Sequence, residues 1–280
     1  MEIASEPAGL HALLSRRRAA GERTVLVPTM GNLHEGHLAL VRRARQAGDC
    51  VIVTIFVNPY QFGENEDFDA YPRTLENDLR LLEALDCDLV FTPSEEIIYP
   101  HGPERVTRIE VPELGSILCG QQRPGFFRGV ATVVNILFNL VAPHAAVFGE
   151  KDYQQLLVIR RMVADLKMGV DIITVETIRE PDGLAMSSRN NYLTPEERKK
   201  ASALYRALDR ARTSVRDGDR DFHAVGMRGI DALQAAGFRP EYFAIRRAGD
   251  LMPPGPGDSE LRVLAAAWLG AARLIDNVPV

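Results

Sequence analysis

Two histidines, His34 and His37, stand three residues apart in the segment VPTMGNLHEGHLALVRRAR, residues 27–45. The residues after them have the apolar spacing of an amphipathic helix from about His37, so both imidazoles are expected on one face at the helix N-terminus. The unsatisfied N–H groups and the dipole of a helix N-terminus attract anions. The segment therefore predicts that the two imidazoles bind a polyphosphate together.

The glycines beside the histidines match no standard nucleotide-binding loop. Gly31 and Gly36 have the G-x-x-x-x-G spacing of a phosphate-binding loop, but His37 and Leu38 stand where that loop needs Lys and Ser or Thr. The dinucleotide fingerprint fails as well, because neither its third glycine nor its acidic residue is in place. A zinc site would need further ligands at recognisable spacing. One alternative stays open, namely that one or both histidines cap the helix or fill polar gaps.

A second segment suited to chemistry, FGEKDYQQL at 148–156, follows an apolar strand pattern and opens a helix. In a parallel sheet it would place Lys151 and Asp152 at the carboxyl end of a strand, where ligands bind. The Lys151 ammonium could neutralise developing phosphate charge, and Gln154 with Gln155 could bind hydroxyls or a carboxylate. The alternative for these residues is a solvated helix start.

Two further loops carry polar side chains after strand patterns. LAMSSRN offers the hydroxyls of Ser187 and Ser188 and the guanidinium of Arg189, a combination suited to terminal phosphates. Taken alone, it is equally consistent with a serine-rich linker. FVNPYQF ends its strand with Asn58 and Gln61. Order and spacing indicate no Ser-His-Asp or Cys-His arrangement, so a covalent enzyme intermediate is not expected.

The elements that must position these residues form an alternating pattern. Short β-branched runs such as RTVLV and CVIVTIFV alternate with helical patterns as far as residue 178. This alternation predicts an α/β, Rossmann-like fold, with a mainly parallel sheet and helices on both faces. This alternation ends at residue 178. Residues 1–178 are therefore expected to form the larger domain and residues 179–280 a smaller α+β domain.

The expected C-terminal domain begins with a polar loop and a helix whose start carries several signals. Thr194 is placed as the N-cap, Pro195 at the first helical position, and Glu197 as the residue that completes a capping box. A second helical pattern and three strand patterns, EYFAIR, LRVLAAAWLG and RLIDNV, follow it.

Composition and charge narrow the class of protein. No apolar run approaches the ~20 residues that span a bilayer, and the N-terminus matches no secretory signal, so a cytoplasmic protein outside the membrane is expected. The net charge of −5 argues against a nucleic-acid partner and favours small-molecule ligands. Cys50, Cys87 and Cys119 form no C-x-x-C pair and are predicted to be reduced packing residues.

Six motifs occur in order along the chain: PTMGNLHEGH, FVNPYQF, YPRTL, FRGVATVV, FGEKDYQQL and DGLAMSSRN. Together they resemble the pantothenate synthetase family, the pantoate:β-alanine ligases, from about Arg23 to Leu193. The C-terminal AAWLGAARLIDN is similar to the second domain of that family. HEGH is also the H-x-G-H signature that the family shares with the class I aminoacyl-tRNA synthetases and related nucleotidyltransferases.

The resemblance implies ATP-dependent condensation of pantoate with β-alanine to pantothenate, through a pantoyl adenylate and with release of AMP and pyrophosphate. His34, His37 and Lys151 would be the catalytic residues, stabilising charge as the pantoate carboxylate attacks the α-phosphorus. Gln61 and Gln155 would hold pantoate, with Gln61 also close to β-alanine. The implied ATP-binding residues are Met30, Gly31, Asn32, Leu33, His34, Glu35, Gly36, His37, Gly149, Glu150, Lys151, Asp152, Ile178, Met186, Ser187, Ser188 and Arg189.

The resemblance also implies a homodimer, a C-terminal domain that acts as a lid, and Mg²⁺ bridging the ATP phosphates with few protein ligands. Asp78 is the candidate ligand for this Mg²⁺. One position departs from the family, whose motif usually reads His-Phe before RGV where this chain has Phe126 and Phe127. Phe126 is therefore predicted to have a packing or gating role.

Two other functions are compatible with the histidine motif. A nucleotidylyltransferase would use the same geometry and keep the nucleotide on its product, whereas a ligase releases AMP. A nucleotide-sensing module would bind ATP without pantoate-dependent turnover.

Overall fold

The computed structural model describes residues 1–63 and 68–280 and contains two sheets, one of six strands and one of three. Contacts within the chain divide it into two compact units. The first unit comprises Met1–Glu150 and Val158–Glu176, and the second comprises Lys151–Leu157 and Thr177–Val280. The domain boundary predicted at residue 178 lies just beyond the end of the first unit, and the segment Lys151–Leu157 is grouped with the second.

The secondary structure confirms the predicted α/β class. The strands are β1 (Glu2–Ala4), β2 (Thr24–Thr29), β3 (Cys50–Ile55), β4 (Leu89–Phe91), β5 (Ala145–Gly149), β6 (Asp171–Val175), β7 (Arg239–Arg247), β8 (Leu261–Leu269) and β9 (Ala272–Pro279). The helices are α1 (Pro7–Ala19), α2 (Glu35–Ala47), α3 (Leu75–Glu83), α4 (Glu95–Ile98), α5 (Cys119–Gln122), α6 (Phe126–Val141), α7 (Tyr153–Asp165), α8 (Pro195–Ala201), α9 (Ala203–Arg216) and α10 (Phe222–Ala235). Short 3₁₀ turns lie at Pro59–Gln61, Glu150–Asp152 and Ser188–Tyr192.

The six-stranded sheet of the first unit has the order β1-β4-β3-β2-β5-β6, and every neighbouring pair is parallel. The chain continues from β2 to β3 on one side and later returns to β5 on the other. The carboxyl end of β2 is therefore a topological switch point, which is where open parallel sheets bind ligands. The loop that carries the two histidines starts at this point.

Helices cover both faces of this sheet. On one face, Leu40 and Val41 of α2 and Leu82 of α3 pack against strand residues such as Val53. On the other, the rings of Phe138 in α6 and Phe148 in β5 pair edge to face, with centroids 6.5 Å apart. The central strands are consequently buried on both faces, as expected of near-continuous apolar runs in a parallel sheet.

The second unit contains the antiparallel sheet β7-β8-β9, whose apolar face packs against α9 and α10. The helix start predicted at Thr194 is confirmed, since Thr194 Oγ1 accepts from Glu197 N (3.3 Å) and Glu197 Oε2 accepts from Thr194 N (2.8 Å). The single helix expected after it is two helices, because α8 ends at Ala201 and α9 begins at Ala203.

The three cysteines are buried and form no disulfide, which confirms their assignment as packing residues. Burial raises the pKa of the Cys50 thiol to about 11 and that of the Cys87 thiol to about 12. Neither thiol is therefore activated for nucleophilic chemistry. In residues 1–63 and 68–280, no helix combines the length and apolar character needed to cross a bilayer.

Candidate active site

The loop after β2 has an unusual backbone that only certain residues can adopt. Gly31 has φ of 78° and Asn32 has φ of 50°, both in the left-handed region. A Cβ added at Gly31 would lie 3.0 Å from Asp78 Oδ2 and 3.0 Å from Ile55 Cγ2. Glycine is therefore needed at position 31 for both its φ and its close packing.

Asp78, in the first turn of α3, stabilises this loop through hydrogen bonds to its backbone. Its Oδ2 accepts from Asn32 N (2.9 Å), its Oδ1 accepts from Leu33 N (2.8 Å), and Thr74 Oγ1 donates to the same carboxylate (3.2 Å). The Asp78 side chain is completely buried. A carboxylate that binds consecutive N–H groups holds the loop in one conformation immediately before His34.

The environment of Asp78 does not fit the predicted role of Mg²⁺ ligand. Both of its oxygens are engaged by backbone and hydroxyl donors, and no surface of the side chain is open to a hydrated ion. Among the residues that the structure describes, no group of three or more His, Cys, Asp or Glu side chains could hold a metal. Asp78 is instead assigned to loop positioning.

His34 and His37 both cap α2, which was the alternative left open by the sequence. The Gly36 N–H donates to His34 Nδ1 (3.1 Å), and the His34 N–H donates to His37 Nδ1 (3.3 Å). The two half-buried rings lie 4.1 Å apart between centroids. Because each Nδ1 accepts a backbone N–H, each neutral imidazole carries its proton on Nε2.

The capping hydrogen bonds use only the Nδ1 atom of each ring. The Nδ1 atoms fix the orientation of the imidazoles, and each Nε2–H is a hydrogen-bond donor. Two oriented donors at the N-terminus of α2 are suited to a polyphosphate. The geometry is thus compatible with the predicted function of the pair and also explains why histidine occupies both capping positions.

Gln61 is oriented by a buried asparagine at the end of β3. Asn58 is 1% exposed, and its Nδ2 donates to Gln61 Oε1 (3.1 Å) while its Oδ1 accepts from Tyr99 OH (2.6 Å). Gln61 Nε2 in turn donates to the sulfur of Met30 (3.0 Å). A side-chain hydrogen bond between Gln61 and Met30 therefore joins the loop after β3 to the loop after β2.

The start of α6 packs directly on the turn that carries Gln61. A Cβ added at Gly129 would lie 2.3 Å from the carbonyl oxygen of Tyr60, so any other residue would push helix and turn apart. Arg123, just before α6, donates from Nη2 to the carbonyl oxygen of Gln61 (3.2 Å). Gly129 of the FRGV motif and Arg123 before it thus support the backbone around Gln61.

Phe126 has a packing partner that accounts for its aromatic ring. The Arg123 guanidinium lies over this ring, with its Cζ 3.7 Å from the centroid, and Phe127 meets the ring edge to face at 4.9 Å. Arg123 therefore stacks on Phe126 while it binds the Gln61 carbonyl. A flat ring at position 126 is sufficient for this arrangement.

In the second unit, Lys151 is held through its backbone. Its carbonyl oxygen accepts from Asn277 Nδ2 of β9 (2.9 Å), and its Nζ lies 3.5 Å from Asp152 Oδ2. The Lys151 side chain is 19% exposed. Gln155 lies in the first turn of α7 and is half-buried.

The segment from Ile178 to Arg189 folds back on itself, so that the structure brings its two ends together. Met186 N donates to the carbonyl oxygen of Ile178 (2.9 Å), and Arg179 pairs with Ala185 as an antiparallel bridge. Ser187 Oγ accepts from Arg189 N (3.3 Å) and caps the 3₁₀ turn Ser188–Tyr192. Ile178 and Met186, predicted from separate motifs, are therefore neighbours.

The predicted residues accordingly form two groups, one in each unit. The group in the first unit is connected by the contacts above and contains Met30, Gly31, Asn32, Leu33, His34, Glu35, Gly36, His37 and Gln61, with Gly149 and Glu150 at the end of β5. The group in the second unit contains Lys151, Asp152, Gln155, Ile178, Met186, Ser187, Ser188 and Arg189.

Several supporting residues were not predicted. Tyr99, Arg123 and Arg179 make their contacts with residues distant in sequence, and no local pattern marks them. The RLIDN segment predicts a strand, but a strand pattern alone does not indicate what the side chains of its Asp-Asn pair bind.

Comparisons with known proteins agree with this architecture over the whole chain. The family model described as pantoate-beta-alanine ligase matches residues 2–279. A pantothenate synthetase from Thioalkalivibrio sulfidiphilus is 57% identical over 280 residues, covering 100% of this chain and 98% of that protein.

Two solved structures show the same fold. The crystal structure of pantothenate synthetase from Thermus thermophilus has a TM-score of 0.93 and 48% identity, covering 99% of each chain. The pantoate-beta-alanine ligase from Francisella tularensis, complexed with beta-gamma ATP and beta-alanine, has a TM-score of 0.82 and 34% identity and covers 100% of this chain and 97% of that one.

Proposed function

The chain belongs to the pantoate-beta-alanine ligase family, the pantothenate synthetases, and from this premise we propose that it condenses pantoate with β-alanine through a pantoyl adenylate. ATP is the adenylyl donor, and AMP and pyrophosphate are the products. The observation that carries the proposal is that Nδ1 of His34 and Nδ1 of His37 each accept a backbone N–H at the N-terminus of α2, which assigns the proton of each neutral ring to Nε2. The Francisella tularensis ligase, bound to an ATP compound and to beta-alanine, supports the same substrates here.

In the first step, a carboxylate oxygen of pantoate forms a bond to the α-phosphorus of ATP. The bond from that phosphorus to the bridging oxygen breaks, and its electron pair leaves with pyrophosphate. His34 and His37 donate hydrogen bonds from Nε2 to the phosphate oxygens on which negative charge increases. The Lys151 ammonium neutralises charge on the same groups.

In the second step, the amine of β-alanine attacks the acyl carbon of the adenylate. The new C–N bond forms, the bond from this carbon to the phosphate oxygen breaks, and AMP leaves with the electron pair. The amine attacks in its neutral form, and its nitrogen then loses one proton to water to give the amide. Activation is needed because a free carboxylate has only oxide or hydroxide as its leaving group.

Gln61 is proposed to bind pantoate and to lie close to β-alanine. Its Oε1 is engaged by Asn58, whereas its Nε2 donates to the sulfur of Met30, a weak acceptor. A substrate carboxylate or hydroxyl oxygen is a stronger acceptor than a thioether. Replacing the sulfur by the substrate would therefore favour binding. Gln155 is proposed as the second pantoate-binding amide.

The second unit is proposed to contribute further contacts to ATP. The Ser187 Oγ atom accepts from Arg189 N, and its O–H is proposed to donate to a phosphate. Ser188 and Arg189 would bind the phosphates with it. Gly149, Glu150, Asp152, Ile178 and Met186 complete the proposed ATP site. Mg²⁺ on the phosphates, a homodimer, lid movement and a cytoplasmic location stay predictions, and no step above depends on them.

A separable first step is the main test of the proposal. Labelled pyrophosphate should exchange into ATP when pantoate is present and β-alanine is absent, because formation of the adenylate is reversible. The measurement is the rate of label incorporation into ATP, with a reaction lacking pantoate as the control. Exchange that requires β-alanine would contradict a free-standing pantoyl adenylate.

Phe126 offers a second test, since the motif of the family that the chain resembles usually has histidine at this position. We expect Phe126→His to change kcat by less than about tenfold, or ~1.4 kcal/mol, because an imidazole can also stack on Arg123. The measurement is steady-state kinetics of both proteins at saturating ATP, pantoate and β-alanine. A gain well above tenfold would show that the histidine takes part in the chemistry and that this chain is an impaired member.

A further inference from the structure

We infer that the adjacent residues Asp276 and Asn277 of β9 are positioning residues, which together hold both segments of the second unit that are proposed to bind ATP. The inference rests on the proposed function, since it assigns the task of the pair through Lys151 and Ile178. Neighbouring residues of a strand point to opposite faces of the sheet, so two consecutive side chains can reach two different segments.

Asn277 holds the segment that carries Lys151. Asn277 is 3% exposed, and its Nδ2 donates to the Lys151 carbonyl oxygen at 2.9 Å. Its Oδ1 accepts from Arg262 Nη1, and the Arg262 guanidinium stacks on Tyr153, with Cζ 3.6 Å from the ring centroid. The Asn277 amide therefore binds the backbone of Lys151 directly and is linked through Arg262 to the ring of Tyr153, on the other side of Asp152.

Asp276 holds the segment that carries Ile178. Its carboxylate, 1% exposed, accepts two hydrogen bonds from Arg179, at 2.6 Å from Nη1 and 2.9 Å from Nη2. Arg179 Nη1 also donates to the carbonyl oxygen of Gly183 (3.0 Å). Arg179 thereby fixes the folded-back segment in which Ile178 binds Met186.

The two contacts act on different parts of the proposed ATP site. A fixed carbonyl at position 151 fixes the direction in which the Lys151 side chain leaves the backbone. A displacement of about 1 Å at a positioning contact can reduce a rate on the order of a hundredfold. The Asn277 contact is predicted to act through the backbone of Lys151, whereas the Asp276 contact is predicted to act through the Ile178 segment. Because the Lys151 ammonium also interacts electrostatically with the Asp276 carboxylate, a substitution at position 179 has to keep the positive charge there.

The test is a double-mutant cycle on pantoate-dependent pyrophosphate exchange. Asn277→Ala should lower the exchange rate on the order of tenfold in the otherwise unchanged protein. In a Lys151→Ala background the same substitution should lower it by less than about twofold, because the group that it positions is gone. Arg179→Lys keeps the positive charge but loses the bidentate hydrogen bonds to Asp276. It should raise the KM for ATP by the same factor in the otherwise unchanged protein and in the Lys151→Ala protein.

Val278→Ala is the matched control. Val278 is the next residue of β9 and is 2% exposed in the apolar core of the second unit, so this change loosens the strand without touching either contact. If Asn277→Ala does not fold, Asn277→Asp takes its place, because it keeps the acceptor for Arg262 and removes the donor to Lys151. Thermal unfolding of every variant reports loss of stability separately from loss of exchange.

The outcomes are distinguishable. Non-additivity between positions 277 and 151, with additivity between 179 and 151, supports the inference. Equal loss of exchange in the Asn277 variant and in Val278→Ala, or full additivity at 277 and 151, overturns it and leaves a structural role only. Absence of pantoate-dependent exchange in the unsubstituted protein would instead overturn the proposed function.

Discussion

Replacing His34 by asparagine is expected to slow pantoyl adenylate formation about a hundredfold without lowering the free energy of unfolding. Asparagine is a strong N-cap residue, and its amide oxygen can accept the Gly36 N–H in place of Nδ1. It has no atom at the position of Nε2. Loss of one preorganised donor to a developing charge typically costs ~3 kcal/mol, which is roughly a hundredfold in rate. The measurement is pantoate-dependent pyrophosphate exchange.

The asparagine variants separate catalysis from capping. His37→Asn should behave like His34→Asn, whereas alanine at either position removes the cap as well and should lower the free energy of unfolding by about 1 kcal/mol. Lys151→Ala should lower adenylation by a similar factor of about a hundred while keeping the carbonyl that Asn277 binds. Near-normal exchange in both asparagine variants would show that the histidines only cap α2. Near-normal exchange in all three alanine variants would refute the assignment of the active site.

Replacing Asp78 by alanine is expected to lower the free energy of unfolding by about 2–6 kcal/mol. The change leaves the N–H groups of Asn32 and Leu33 in a buried site without their acceptor, and each such group costs about 1–3 kcal/mol. Asp78→Asn should cost less but not restore stability, because its amide nitrogen would face one of these N–H groups. The measurement is the midpoint of urea unfolding at constant m-value.

Glu76 supplies the control for Asp78. It is exposed in the same first turn of α3, so Glu76→Ala should change stability by no more than about 0.5 kcal/mol. The same proteins distinguish loop positioning from metal binding. If Asp78→Ala leaves stability unchanged and raises the Mg²⁺ concentration needed for half-maximal activity, the role as a Mg²⁺ ligand is restored and the positioning role is wrong.

Much of the fold could be predicted because its signals are local. The β-branched runs of β2 and β3, the short apolar run of β5 and the capping box at Thr194 depend on residues within a few positions of one another. The placement of His34 and His37 at a helix start depends on the same kind of pattern. The strand β1 was not predicted, because three residues give no period, and α1 was not predicted, because few of its residues are buried.

The supports of the site could not be predicted, because they join residues far apart in the chain. Asp78 looks like an ordinary acidic residue in the first turn of an amphipathic helix, where a negative charge is favourable anyway. Only the packing of α3 beside the loop after β2 shows that its partners are the N–H groups of Asn32 and Leu33. Likewise, the tautomers of the two histidines follow from backbone donors that the sequence does not reveal.

Together with the proposed binding of pantoate by Gln61, the contact between Gln61 and the sulfur of Met30 predicts that substrate binding is sensitive to oxidants. A thioether is a weak acceptor that a substrate oxygen can displace, but methionine sulfoxide carries a polar oxygen that accepts hydrogen bonds strongly. Oxidation of Met30 would therefore give Gln61 Nε2 a covalently attached competitor for pantoate, within a loop that Asp78 holds in place. Peroxide would then act as an inhibitor of substrate binding that methionine sulfoxide reductase could reverse, even though all three cysteines of the chain are buried.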